Sequence, residues 1–220
     1  LKHYEHDSLK LEAAKFLIRN MPHCYSYQQG GEMDSVKRVR TYYSPFGQID
    51  QTYARRWGHY TYRNLPKIYD AHIITAEYLI DNIDRAFDNW QKRPWNRSLS
   101  FEDFCEYLLP YRIGDEPLEE WRELYEKKYG YLLDSIYKGS DVVEAANLVS
   151  RHLQEPVFIY CEDFELPHIG PRYLFSHRYG SCVDAADIVT YAFRAVGIPC
   201  MEDTDARGGH VWNVVRDTTG

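Results

Sequence analysis

The stretch GSCVDAADIVTYAFRAVGIPC, residues 180–200, places a cysteine where a helix should begin. Ser181 is a favourable N-cap residue, and Asp184 follows three residues later, where it can complete a capping box. Gly197 can supply the left-handed residue that commonly ends a helix. The sequence therefore predicts a helix that begins at Cys182 and ends just before Gly197.

The apolar residues of this predicted helix recur at helical spacing and define one face. We expect this face to pack inward, and it comprises Cys182, Ala185, Ala186, Val189, Ala192, Phe193 and Val196. Among the polar residues, we interpret Asp184 as part of the cap and Asp187 as surface.

Cys182 has two interpretations. The first is a small buried thiol, which is the usual environment of a free cysteine. The second is a nucleophile, because the helix dipole and the unpaired N–H groups of the first turn favour the thiolate. The same N–H groups can stabilise the oxyanion of a tetrahedral intermediate.

A candidate base follows 28 residues later in GGHVWNVV, residues 208–215. The alternation predicts a strand with His210, Trp212 and Val214 on one face and Val211, Asn213 and Val215 on the other. A strand that returns past the helix start would bring His210 to Cys182 as a nucleophile and base pair. The alternative is a histidine at a strand edge, hydrogen-bonded to a backbone carbonyl.

Three motifs in this order and spacing resemble the transglutaminase-like core, a circular relative of the papain-like cysteine enzymes. They are Gly-x-Cys at the start of an alanine-rich helix, RAVGIP at residues 194–199, and His-x-Trp-Asn on a strand. The resemblance covers roughly residues 140–220. It implies an α+β fold in which the helix carrying Cys182 packs on an antiparallel sheet. It also implies that Cys182 is the nucleophile and His210 the general base and acid.

The chain divides into a helical N-terminal extension, residues 1–135, and an incomplete transglutaminase-like core, residues 136–220. The extension resembles that of bacterial, Bacteroidetes-type members of the superfamily. Helices are predicted from an N-cap at Ser8 to about residue 21, over 69–90 and 100–109, from Pro117, and from an N-cap at Asp141. Residues 25–62 are predicted as a loop with at most short elements, 166–178 as a loop, and 157–160 as a short strand.

The family's Cys-His-Asp triad needs a third residue that orients the imidazole, usually on the strand after the histidine. Asp217 is seven residues past His210, on the opposite face and about 23 Å along the strand. We interpret Asp217 as the first residue of a hairpin turn. The orienting Asp or Asn is therefore expected beyond Gly220 in a longer chain, and the core is expected to be truncated at its C-terminus.

Other residues are candidates for the walls of the cleft. Trp212 lies beside His210 and is interpreted either as a cleft wall or as core packing. Beside the N–H of Cys182, a second oxyanion donor could come from Tyr173, His177 or Tyr179. The predicted substrate cleft therefore contains Trp212, Tyr173 and His177.

The five cysteines, at 24, 105, 161, 182 and 200, form no CxxC pair. Cys105 is predicted to be core, and Cys161 and Cys200 could form a disulfide if the protein is exported. Metal-ligand residue types occur at Cys161, His168, His177, Cys182 and His210. Their spacings match no short zinc pattern, so no metal is predicted.

Charge and composition limit the partners. The net charge is −7, and the short basic cluster at residues 37–40 is predicted to be solvated surface, so nucleic acid is excluded. No apolar run approaches the roughly 20 residues that a transmembrane segment needs. Twenty tyrosines and five tryptophans indicate aromatic packing between helices or a surface for peptide or glycan.

The function expected from these residues and the resemblance is a cysteine-dependent acyl-group enzyme that cleaves an amide through a thioester. Water as acceptor makes it a peptidase or amidase, which the resemblance favours, and an amine acceptor makes it a protein-glutamine transglutaminase. The resemblance implies no cofactor, a peptide or protein substrate, and an extracytoplasmic location. The alternative is a non-catalytic module that binds a peptide, glycan or partner protein.

Overall fold

Most of the chain is helical, with short strands between the helices. The computed structural model describes residues 1–44, 48–57, 59–161 and 164–217. The helices are α1 (Ser8–Asn20), α2 (Glu32–Arg40), α3 (Gln51–Trp57), α4 (Asp70–Ile73), α5 (Ala76–Lys92), α6 (Phe101–Tyr107), α7 (Arg122–Tyr131), α8 (Val142–Leu153), α9 (Pro171–Ser176) and α10 (Cys182–Val196). The strands are β1 (Tyr25–Tyr27), β2 (Lys67–Tyr69), β3 (Ile159–Tyr160), β4 (Tyr179–Gly180), β5 (Cys200–Thr204) and β6 (Val211–Val215).

Helix α10 begins and ends where the sequence predicts. Ser181 and Asp184 form the capping box, in which Asp184 Oδ2 accepts a hydrogen bond from the Ser181 N–H at 2.8 Å. A Cβ at residue 180 would overlap the Asp184 side chain, so glycine is required for this tight approach. Gly197 ends the helix with a left-handed φ of 82°. The local sequence therefore specifies both ends of the helix.

The main hydrophobic core surrounds α10 and includes residues from both halves of the chain. Helix α7 packs against α10, with Tyr191 5.1 Å from Trp121 and 5.7 Å from Tyr125 between ring centroids. Val149 of α8 and Leu174 of α9 are buried in the same cluster. The core is thus continuous across residue 135, where the sequence predicts the boundary between extension and core.

Strands β5 and β6 form an antiparallel hairpin that packs on α10. The register pairs Cys200 with Val215 and Thr204 with Val211. Asn213 connects the hairpin to the helix, since its amide donates to the Ala186 carbonyl at 3.0 Å and to Thr190 Oγ1 at 2.8 Å. Elsewhere β1 pairs antiparallel with β2, and β3 pairs parallel with β4. The α+β class is therefore confirmed.

The N-terminal half forms a second apolar cluster among α1, α5 and α6, and Cys105 is buried there as predicted. Two predicted helix starts are wrong. Asp7, not Ser8, caps α1, because its carboxylate accepts from the Lys10 N–H. Helix α7 begins at Arg122 instead of Pro117.

Two segments that were predicted as loops contain helices. Residues 25–62 contain α2 and α3, and residues 166–178 contain α9. Helix α2 has acidic residues in its first turn and basic residues in its last, which complements the helix dipole. Its Val36 and Val39 pack in a third cluster with Phe164, a contact between distant residues that no local pattern shows.

The predicted solvated cluster at residues 37–40 is also wrong, since Lys37 and Arg40 are both buried. Arg40 Nη1 pairs with Asp184 Oδ2 of α10 at 2.9 Å. The charge is buried because a carboxylate 144 residues away neutralises it. Within the ranges given above, no helix has the length and apolar character needed to cross a bilayer.

Gly197 and Gly208 allow a test of the packing around α10. Both have positive φ, but a Cβ at Gly197 would lie 2.7 Å from the Asn89 carbonyl oxygen, whereas a Cβ at Gly208 would meet nothing within 4 Å. We expect Gly208→Ala to reduce the free energy of unfolding by about 1–2 kcal/mol, the cost of a left-handed alanine. Gly197→Ala should cost at least about 1 kcal/mol more because of overpacking. Urea denaturation of both variants measures this, and equal losses would contradict the close packing at Gly197.

Candidate active site at the start of helix α10

Cys182 is the first residue of α10 and is half-buried. Its neighbours Ser181 and Val183 both line a pocket of about 550 Å³. The positive end of a 15-residue helix is therefore next to a cavity large enough for a small ligand or a short peptide segment.

The other four cysteines are poor nucleophiles. Burial raises the pKa of Cys105 to about 12, and the pKa values of Cys161 and Cys200 to about 11. Burial also raises the pKa of Cys24. These four thiols stay protonated at neutral pH, and the thiolate is the form that attacks carbonyl groups.

The β5–β6 hairpin brings His210 to the same end of the fold as Cys182. Strand β5 starts beside the last turn of α10, where Arg194 Nε donates to the Cys200 carbonyl at 3.0 Å. The chain then runs back along the helix, so His210, directly before β6, lies at the end where α10 begins.

The side chain of His210 lies on the face of the hairpin that is turned away from α10. His210 is exposed, and Trp212 and Val214 on the same face are 39% and 37% exposed. Asn213, on the opposite face, contacts the helix, so the predicted alternation is confirmed. Among the residues with described positions, no hydrogen bond joins the Cys182 thiol to the His210 imidazole.

The predicted cleft residues fall into two places. Trp212 lies beside His210, with ring centroids 6.2 Å apart, on the exposed face of the hairpin. Tyr173 and His177 are stacked, with centroids 4.4 Å apart, and line a different pocket against α2. In the part of the chain that the structure describes, no ring contact or hydrogen bond links Trp212 to this pair. Tyr179 is part of β4, where it is paired with Ile159.

The interpretation of Asp187 as a surface residue is wrong. Asp187 is fully buried, and both of its carboxylate oxygens lie 2.9 Å from His168 Nδ1. The predicted inward face of α10 is not fully buried, because the helix is covered on its polar side as well. Cys182, Ala185 and Val189 are only half-buried, whereas the polar side of α10 is covered by other parts of the chain.

His168 of this pair lines the 550 Å³ pocket, and Asp187 is fully buried behind it. Burial alone would lower the pKa of His168, but the Asp187 carboxylate outweighs it and raises the pKa to about 10. A Cβ on Gly114 would overlap the His168 ring, so that glycine allows the imidazole to pack closely. Asp187 lies about 140° around the helix from Cys182 at 100° per residue. Asp187 therefore points away from the Cys182 side of the helix, and His168 alone brings the pair to the pocket.

A buried polar network continues from Asp187 beneath α10. The Glu202 carboxyl is hydrogen-bonded with Asp187, and burial raises the pKa of Glu202. Thr190 Oγ1 donates to Glu202 Oε1 at 3.0 Å and accepts from Asn213. The network thus connects His168 at the pocket with the strand that follows His210.

From the sequence, His168 is a candidate only as a metal-ligand residue type, and this network is not predicted. The available signal was Asp187 itself, a charged residue among the apolar residues of a helix. No basic residue stands three or four positions from it on α10. Such an aspartate needs a partner from elsewhere in the fold.

The cysteine and histidine residues form neither a metal site nor a disulfide in the described part of the chain. No group of three His, Cys, Asp or Glu residues with metal-binding geometry occurs among the described residues. All five cysteines are free, and Cys161 and Cys200 lie in different core clusters. The predicted hairpin turn after Asp217 falls on residues 218–220, outside the described residues.

Comparison with protein-family models, with curated proteins and with solved structures found no match to this chain.

The His168–Asp187 pair gives a pH-dependent prediction. Because the pKa of His168 is raised in the folded state, its contribution to stability is complete below about pH 6.5 and is lost towards pH 10. We expect Asp187→Asn to lower the pKa of His168. The free energy of unfolding of this variant should then no longer decrease between pH 6.5 and 10 through His168. NMR titration of the His168 ring and urea denaturation across that range measure both effects.

Asp88→Asn is a matched control, because Asp88 is an exposed residue of α5. This variant should titrate and unfold as the wild type does. An unchanged His168 pKa in Asp187→Asn would show that the buried pair does not hold the charge on the imidazole.

Proposed function

We propose that this chain is a transglutaminase-like, cysteine-dependent enzyme that transfers the acyl group of an amide substrate. The observation that carries the proposal is Cys182 at the capped start of α10, beside a 550 Å³ pocket. The hairpin that delivers His210 to the same end of α10 supports it.

The start of α10 supplies two of the functions that acyl transfer needs. The positive end of the helix favours the negative charge that develops there during the reaction. The capping box engages the N–H groups of Ser181 and Asp184, which leaves those of Cys182 and Val183 to stabilise an oxyanion.

The proposed reaction proceeds through a thioester. His210 accepts the thiol proton, and the sulfur of Cys182 forms a bond to the amide carbonyl carbon. When the tetrahedral intermediate collapses, the C–N bond breaks and the imidazolium gives its proton to the leaving amine. Water, deprotonated by His210, then attacks the thioester, releases the acid and restores the thiol.

His210 has to turn towards Cys182 for this reaction. Two glycines precede it in the exposed hairpin loop. Gly208 adopts a left-handed φ of 69°, and a Cβ at this residue would meet nothing within 4 Å. The loop therefore leaves space for the imidazole to change its direction.

The pocket beside Cys182 suits a peptide or protein substrate. Tyr25 and Tyr62 provide aromatic walls, and Asp115 and His168 provide hydrogen-bonding groups. A glycan is the second substrate class that such a mixture of rings and carboxylates can bind.

A second candidate function is a non-catalytic module that binds a peptide, glycan or partner protein. The position of His210 favours it, because the imidazole lies with Trp212 on the face turned away from α10. In that case the pocket and the exposed aromatic surface bind a partner, and Cys182 has no chemical role.

Thiol reactivity separates the two functions. If Cys182 is a nucleophile activated by His210, iodoacetamide should alkylate it at pH 7 about tenfold faster than it alkylates glutathione, because His210 accepts the thiol proton as the sulfur attacks. His210→Ala should remove most of this advantage. Mass spectrometry of the modified peptides gives the rate at each cysteine.

His6→Ala is the control, since His6 is an exposed histidine near the N-terminus. It should leave the rate at Cys182 unchanged. If Cys182 reacts no faster than glutathione and His210→Ala has no effect, the enzyme proposal is wrong and the binding module remains.

A further inference from the structure

A second pocket, of about 520 Å³, lies between α2 and α9. It is distinct from the pocket beside Cys182, and its volume is in the range of small-molecule sites. Lys37 contributes to it from α2, and Tyr173 and His177 contribute from α9 and the residue after it.

Lys37 is a buried cation that donates a hydrogen bond to a neutral group. Lys37 is only 8% exposed, and its ammonium donates to the neutral amide oxygen of Gln29. Within the described part of the chain, no carboxylate lies within 4 Å of Lys37 Nζ. Burial lowers the pKa of Lys37, although Asp34 and Glu119 oppose this from a greater distance.

The ammonium has unused hydrogen-bonding capacity that the pocket can present to a ligand. A lysine carries three N–H donors, and one is bound to Gln29. A buried charge without a partner is costly, and an anion that enters the pocket would offset that cost. The site therefore has room for a further acceptor beside the ammonium, and a carboxylate can supply it.

A flat aromatic wall stands next to the ammonium. The His177 and Tyr173 rings are stacked at 19° between their planes, and Lys37 Nζ lies 5.8 Å from the Tyr173 centroid. The Tyr173 hydroxyl donates to the Lys37 carbonyl oxygen at 2.7 Å, which holds the ring against α2. A planar group can stack on this wall while an attached anion reaches Lys37.

We propose that this pocket binds a planar monocarboxylate, whose carboxylate pairs with Lys37 and whose ring stacks on His177 and Tyr173. Arg38 also lines the pocket, together with Asp34 and Glu119, whose carboxylates disfavour an anion of higher charge. The proposal is independent of the chemistry at Cys182, since it uses other residues and another cavity.

Benzoate and benzamide are suitable probes, because they have nearly the same shape and differ in charge. We expect ligand-observed saturation-transfer NMR at pH 7 to show benzoate binding with at least about tenfold higher affinity than benzamide, through the charged hydrogen bond. Lys37→Met, which keeps the length of the apolar stem, should reduce benzoate to the affinity of benzamide.

Lys128→Met is the matched control, because Lys128 is exposed on α7 and is not among the residues that line the pocket. It should bind benzoate as the wild type does. His177→Ala, at an exposed position, should weaken benzoate and benzamide alike by removing the stacking surface.

Three results would overturn the proposal. The first is equal affinity for the two probes in the wild type. The second is unchanged benzoate binding in Lys37→Met or His177→Ala. The third is tighter binding of inorganic phosphate than of benzoate, which would assign the pocket to a more highly charged anion.

Discussion

The structure depends on the burial of two carboxylates on the polar side of α10. Asp184 is neutralised by Arg40 of α2, and Asp187 by His168 of the segment before α9. Removal of one partner from a buried ion pair usually costs about 3–5 kcal/mol, because the remaining charge stays buried. These two pairs fix the N-terminal half and the residue 164–170 segment against the central helix.

The two pairs also determine the shape of the candidate site. Arg40, His168 and Asp184 all line the pocket beside Cys182, so the contacts that close the fold also form the wall of that pocket. The network from Asp187 through Glu202 and Thr190 to Asn213 extends this rigid region to β6. The contacts of Asp184 therefore hold the start of α10, where the thiol lies, and the network from Asp187 holds the hairpin with His210.

Helix α2 separates two pockets with different electrostatic character. Arg40 lines the pocket beside Cys182 and is paired with Asp184, whereas Lys37 lines the other pocket and donates to the Gln29 amide. Residues three apart lie about 60° from each other around a helix, and here that difference brings two cations of one basic cluster to different cavities. A cation paired with a buried carboxylate contributes to structure, and one bound to a neutral amide keeps N–H donors for a ligand.

Some features were predictable because they depend on neighbouring residues. The capping box of Ser181 and Asp184, the left-handed Gly197, the helix start at Asp141, and the alternation from Val211 to Val215 are all as predicted. Each of these is decided within a few residues by backbone hydrogen bonding or side-chain period.

Other features could not be predicted because their causes lie far away in the chain. Helix α2 forms where glycine and tyrosine indicated a loop, since Val36 and Val39 pack against Phe164. Asp187 was interpreted as surface because its partner, His168, lies in a segment without periodic pattern.

The sequence by itself determined the position of Cys182 at the start of a helix and of His210 at the start of a strand, because caps and alternation are local. Only the tertiary structure decided which way those side chains face, which charges are buried, and where the two pockets lie. These properties depend on contacts between residues such as Arg40 and Asp184, 144 positions apart, and no local pattern encodes such a contact.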